Sequence, residues 1–72
     1  MQTLTFNTKT KKVVLVDSDG NVLFTSDNVP TVSVKEVGFY EVMVKISEIK
    51  TVPVLRVPIS NTNMFIDNDM ED

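Results

Sequence analysis

Apolar and polar residues alternate along most of this chain. From Gln2 to Asn7, Leu4 and Phe6 fall on one side and Thr3 and Thr5 on the other. A two-residue period is the signature of a strand with one buried face. A polar break at 8–11 separates this segment from K-V-V-L-V-D at 12–17, and V-L-F-T follows at 22–25. Residues 26–30 read as a loop, since the residue before Pro30 is biased to extended geometry. Alternation resumes over 31–37, with Val32 and Val34 facing inward, and Gly38 marks a turn or bulge. The longest predicted strand covers 39–46, with Tyr40, Val42, Val44 and Ile46 on one face and Phe39 and Met43 on the other. Residues 47–51 read as a loop or a short helical turn. Residues 52–59 are extended, and the prolines at 53 and 58 place them at a sheet edge, because proline cannot donate to a ladder. A turn at 60–63, a short strand at 64–66 and an acidic tail from Asp67 to Asp72 complete the reading.

Composition agrees with the pattern. Thirteen of the 72 residues are valine, eight are threonine and none is alanine. Valine and threonine suit a pleated, half-buried surface, whereas alanine is the best helix former. The expectation is an all-β domain over residues 1–66 with five to seven short strands. It would be a small antiparallel meander barrel, SH3-like or OB-like in shape, or a compact sandwich.

The D-S-D-G-N stretch at 17–21 admits two readings. A helix-loop-helix calcium site needs Asp at its first position, Asp or Asn at the third and fifth, glycine at the sixth and glutamate at the twelfth. Asp17, Asp19 and Asn21 fit the first three, but the sixth is Val22 and the twelfth Asn28. A hairpin turn fits better, since Asp-Gly between two apolar runs accepts positive φ. With Asp19-Gly20 as a two-residue loop, Val16 faces Leu23, Leu15 faces Phe24 and Val14 faces Thr25. One face then carries Val13, Leu15, Val22 and Phe24, and the other carries Val14, Val16 and Leu23. An antiparallel sheet with one wet face shows a cleaner contrast than this. The second apolar face calls for closure into a barrel or for another chain.

Charge and chemistry narrow the function. The chain has no cysteine and no histidine, so disulfides and Cys/His zinc sites are excluded. The usual nucleophile-base pairs are missing too. No catalytic residue, metal ligand or cofactor is expected, and the chain reads as non-enzymatic. A formal net charge of −3 weighs against binding nucleic acid by phosphate neutralisation. There is no apolar run of membrane-spanning length and no signal-peptide pattern, so a cytoplasmic location, or a virion or host cytoplasm for a viral protein, is expected.

A domain of this size is marginally stable without a staple, and association supplies one. The expected function is contact with proteins, as a self-associating or assembly subunit. The absence of alanine and the scarcity of arginine and glycine fit an AT-rich coding sequence, a bias shared by bacterial viruses and several bacterial groups, and are compatible with a phage structural or accessory protein or an inhibitor of a host protein. Candidate partner contacts are Phe39, Met43 and Val54, with Val14, Val16 and Leu23 on the hairpin's second face. The alternative is a small-molecule or nucleotide module with seams between subunits, its anion held by Arg56, Lys9, Lys11 or Lys12. A third reading is single-stranded nucleic-acid binding on aromatic residues. The basic cluster at 9–12 and the acidic tail also allow a salt-sensitive head-to-tail contact.

Overall fold

The structure, a computed structural model, describes residues 1–34 and 37–67. The expected strand at 31–37 therefore runs into positions outside the described residues, and so does the tail beyond Asp67. The elements are β1 (Gln2–Asn7), β2 (Lys12–Val16), β3 (Val22–Ser26), β4 (Val32–Val34), β5 (Phe39–Ser47), β6 (Lys50–Pro58), a 3-10 turn (Ile59–Asn61) and β7 (Thr62–Asp67). They form a four-stranded sheet in the order β3-β2-β1-β7 and a three-stranded sheet in the order β4-β5-β6. The fold is all-β, but it is a two-sheet sandwich and not a closed barrel. Nor is it wholly antiparallel, because β7 runs parallel to β1 from Gln2 opposite Thr62 to Asn7 opposite Asp67. The reason is geometric. The 3-10 turn carries the chain from the end of β6 in one sheet back to the start of β1 in the other, so β7 enters beside β1 in the same direction.

The core follows the alternation. Leu4 and Phe6 of β1 and Val13 and Leu15 of β2 face Val42 of β5 and Val57 of β6. Phe24, Val32, Tyr40, Val44, Leu55 and Met64 pack around them, half-buried. Each such side chain taken from water contributes roughly 1.5–3 kcal/mol.

The loop from β3 to β4 joins the sheets. Val29 is fully buried between them. Its N–H donates to the Lys11 carbonyl at 2.9 Å, and the Asn28 carbonyl accepts from the Lys45 N–H at 3.0 Å. One loop thus bonds to the β1–β2 turn on one side and to β5 on the other. The geometry forces Lys11 and Asn28 into the left-handed region, at φ 61° and 60°.

Three expectations are corrected. Val34 and Ile46 are exposed, although Val34 stands opposite Tyr40 on the inner side of its sheet. Val34 ends a three-residue edge strand. Ile46 lies at a register shift between Lys45 and Ser47, where β5 and β6 run on as a two-stranded ribbon beyond the reach of β4. That ribbon ends in a tight turn at Glu48 and Ile49, so of the loop expected at 47–51 only these two residues turn, and Ser47, Lys50 and Thr51 belong to the strands. Val22 is exposed as well, although Phe24 takes the expected inner position.

Shortening Val29 to alanine should cost about 2 kcal/mol, in the range of cavity-forming core truncations. Val37→Ala, at a residue 98% exposed, should cost nothing measurable. Urea unfolding of the two variants against the parent protein checks this; equal midpoints would show that the loop does not close the core.

Candidate interaction surfaces

The hairpin at 17–21 is a turn, and its geometry shows why. The Asp17 carbonyl accepts from the Gly20 N–H at 3.0 Å, and the Asp17 N–H donates to the Asn21 carbonyl at 2.9 Å. The loop is therefore Ser18-Asp19-Gly20, one residue longer than the two-residue loop expected. Gly20 sits at φ 89°, the left-handed position that closes a three-residue hairpin loop. The longer loop shifts the pairing, so Val16 opposes Val22 and not Leu23. A bulge at Leu23 takes up the shift, and Leu15–Phe24 and Val14–Thr25 pair as expected. Burial of Leu15 and Phe24 on one face outweighs the irregularity, because a one-residue slip would turn that face outward.

The Asp17 carboxylate belongs to the turn. Its Oδ1 accepts from the backbone N–H groups of Asp19 and Asn21, both at 2.9 Å, and its Oδ2 accepts from the Asn21 side-chain amide at 3.3 Å. The Asn21 backbone bond leads in holding the Asp17 carboxyl below the ordinary aspartate value of 3.8, against the opposing effect of desolvation. No cluster of carboxylates able to hold a metal occurs among the described residues.

The outer face of the four-stranded sheet carries Val14, Val16 and Leu23. Register places Thr25, Val14, Thr5 and Phe65 side by side in one row across β3, β2, β1 and β7. A second row runs from Val22 through Val16 and Thr3 to Asn63. Neither row contains a charge. Charge returns only at the end of the sheet, where Lys12 and Asp67 flank Asn7. There Asp67 accepts from the Asn7 side-chain amide at 3.3 Å and, through its carbonyl, from the Thr8 N–H at 3.1 Å.

The outer face of the three-stranded sheet brings Phe39, Met43, Val54 and Arg56 together. Arg56 stands opposite Glu41 in the register, and its guanidinium lies 5.1 Å from the centroid of the Phe39 ring. Val54 is the extra residue where the register shifts between Val42 and Met43. Met43 opposes Pro53 and Phe39 opposes Pro58. The expected edge position of β6 is confirmed.

The candidate anion residues do not meet in one place. Lys11 lines an open groove of about 510 Å³ with Asn28, Val29, Pro30 and Lys45. Lys12 lines a separate, smaller depression with Asp67. Arg56 borders neither, and Lys9 is exposed in the β1–β2 turn with its N–H on the Asn7 side-chain oxygen.

Sequence reasoning missed Phe65, Ile66 and Ile49. Phe65 is 58% and Ile66 53% exposed on β7, and Ile49 is 96% exposed at the ribbon tip. A three-residue apolar run gave no alternation by which to recognise β7 as a full strand with two faces. Among the described residues, no helix is long and apolar enough to cross a membrane. The chain matches no protein-family model, no curated protein and no solved structure.

The Asp17 bonds have a testable pH signature. A carboxyl whose folded value is depressed adds stability that is complete above its unfolded value and is lost as pH falls through the folded one. Protection of the Asp19 and Asn21 amides from hydrogen exchange should therefore be full above pH 3.8 and fall in more acid solution. Asp17→Asn keeps an accepting oxygen and should flatten that pH dependence, whereas Asp17→Ala should lose the protection at every pH.

Proposed function

We propose that this chain is a non-enzymatic β module that works through protein contacts and associates first with itself. The observation that supports this most is the uncharged row Thr25–Val14–Thr5–Phe65, which spans the outer face of a whole sheet. Val14 and Phe65 in that row, with Val16, Val22 and Leu23 beside them, place large apolar side chains on one face, and exposed apolar patches mark contact sites. The chain's composition, poor in alanine, arginine and glycine, supports an origin in a bacterial virus, as an assembly or accessory subunit or as an inhibitor of a host protein.

A second reading, binding of a small anion, draws on the groove where Lys11 and Lys45 stand near a backbone held at positive φ. Its volume is in the range of small-molecule sites. On that reading Lys11→Ala abolishes the heat of binding of inorganic phosphate in calorimetry and Arg56→Ala leaves it unchanged. Equal loss in both variants would rule the groove out as the site.

Light scattering after size exclusion, over a dilution series, tests the first reading. The expected result is a mass that is a multiple of the 8.1 kDa monomer, stable from low to high salt. Salt insensitivity follows from an apolar seam, whereas exposed ion pairs are screened beyond about 8 Å at physiological ionic strength. A mass that falls in high salt would place the contact at Lys9, Lys11 and Lys12. A monomer at every concentration and salt would overturn self-association.

A further inference from the structure

We propose that two copies of this chain join edge to edge through β7, antiparallel about a two-fold axis at Phe65, so that two four-stranded sheets become one. This rests on the self-association just proposed and names its contact.

The sandwich has four sheet edges, and three are defended. β3 carries the bulge at Leu23. β4 is three residues long. β6 contains Pro53 and Pro58. Each device discourages pairing with another chain. β7 has none of them. It is a six-residue strand, T-N-M-F-I-D, without proline, lysine or register shift. Two of its large apolar side chains, Phe65 and Ile66, are more than half exposed.

Backbone direction fixes what the open edge offers. The Asp67 carbonyl points at β1, where it accepts from the Thr8 N–H. The N–H and C=O of one strand residue leave by the same edge, and alternate residues use opposite edges. Asn63 and Phe65 therefore also turn their main chain toward β1. Thr62, Met64 and Ile66 turn theirs to the open side. The Thr62 N–H is already engaged, on the Ile59 carbonyl. Met64 and Ile66 hold the free donors and acceptors.

These constraints select one antiparallel register between copies. Inner residues must oppose inner residues, so the axis passes through a single residue and not between two. An axis at Met64 would pair Thr62 with Ile66 of the second copy and would require the engaged Thr62 N–H. An axis at Phe65 pairs Met64 with Ile66 in both directions, and each pair exchanges two main-chain hydrogen bonds. Phe65 then meets Phe65 of the second copy in a non-hydrogen-bonded pair, the closer kind, on the outer face. Asn63 meets Asp67, an amide opposite a carboxylate. The uncharged row continues across the axis into its own copy. An isologous contact demands such self-complementarity.

The absence of cysteine makes the test clean. In the full chain, Phe65→Cys places two thiols across the axis at a spacing that suits a disulfide. Mild oxidation should convert it to a covalent dimer of twice the monomer mass on non-reducing gels. Leu23→Cys, equally exposed on the opposite edge, should remain mostly monomeric. Ile66→Pro removes a donor from the open edge and none from the β1 ladder, so it should keep the parent circular dichroism and elute at half the parent mass. If Ile66→Pro fails to fold, the cysteine pair decides alone. Failure of Phe65→Cys to outpace Leu23→Cys in a parent protein that is oligomeric overturns the β7 contact and leaves self-association standing. A monomeric parent protein overturns both.

Discussion

The sandwich depends on the burial of Val29. Two open sheets of four and three strands cannot exclude water from the space between them without something across the end. The loop from β3 to β4 supplies it, and only because its backbone is bonded on both sides, to Lys11 and to Lys45. A buried loop with unpaired amides would be strongly unfavourable. Here the bonds that satisfy the backbone are the same bonds that fix the sheets' relation to each other. The left-handed Lys11 and Asn28 are the accompanying strain, and both sit at this crossing.

The sheets were legible in the sequence where burial is one-sided. Gln2 to Asn7 and Phe39 to Val44 alternate, and the alternation points to the core residues Leu4, Phe6 and Val42. Pairing over long distances was not legible. Nothing in Met64-Phe65-Ile66 tells that this run lies parallel to a strand that precedes it by 60 residues. Val34 and Ile46 defeated the pattern for a different reason. A side chain on the inner side of a strand is buried only if the opposing sheet extends that far, and alternation carries no information about where a sheet stops.

The candidate surfaces divide in the same way. Val14, Val16 and Leu23 were legible as a second apolar face because both faces of the hairpin are apolar in sequence. Phe39, Met43 and Val54 were legible from Phe39 and Met43 falling opposite Tyr40. The cations were misleading. Lys11, Lys12 and Arg56 look alike in a list of charges, yet the fold sends one to a groove, one to a smaller depression and one over the ring of Phe39. Local spacing cannot report that separation, which is set by which sheet and which face each strand joins.

The parallel pairing of β1 with β7 has a kinetic consequence. β1, β2 and β3 are joined by short turns and can zip together within microseconds, the timescale of hairpin formation. The other side of β1 must wait for β7, the last strand described. Closing that contact requires the second sheet and the crossing at Val29 to be nearly in place, and such non-local pairing is slow. Until then the main chain of Leu4 and Phe6, which turns to that side, stays unpaired. During synthesis the newly made protein thus passes through a stage in which a central strand that carries two core residues, Leu4 and Phe6, has one bare flank, and the six residues of β7 end that exposure.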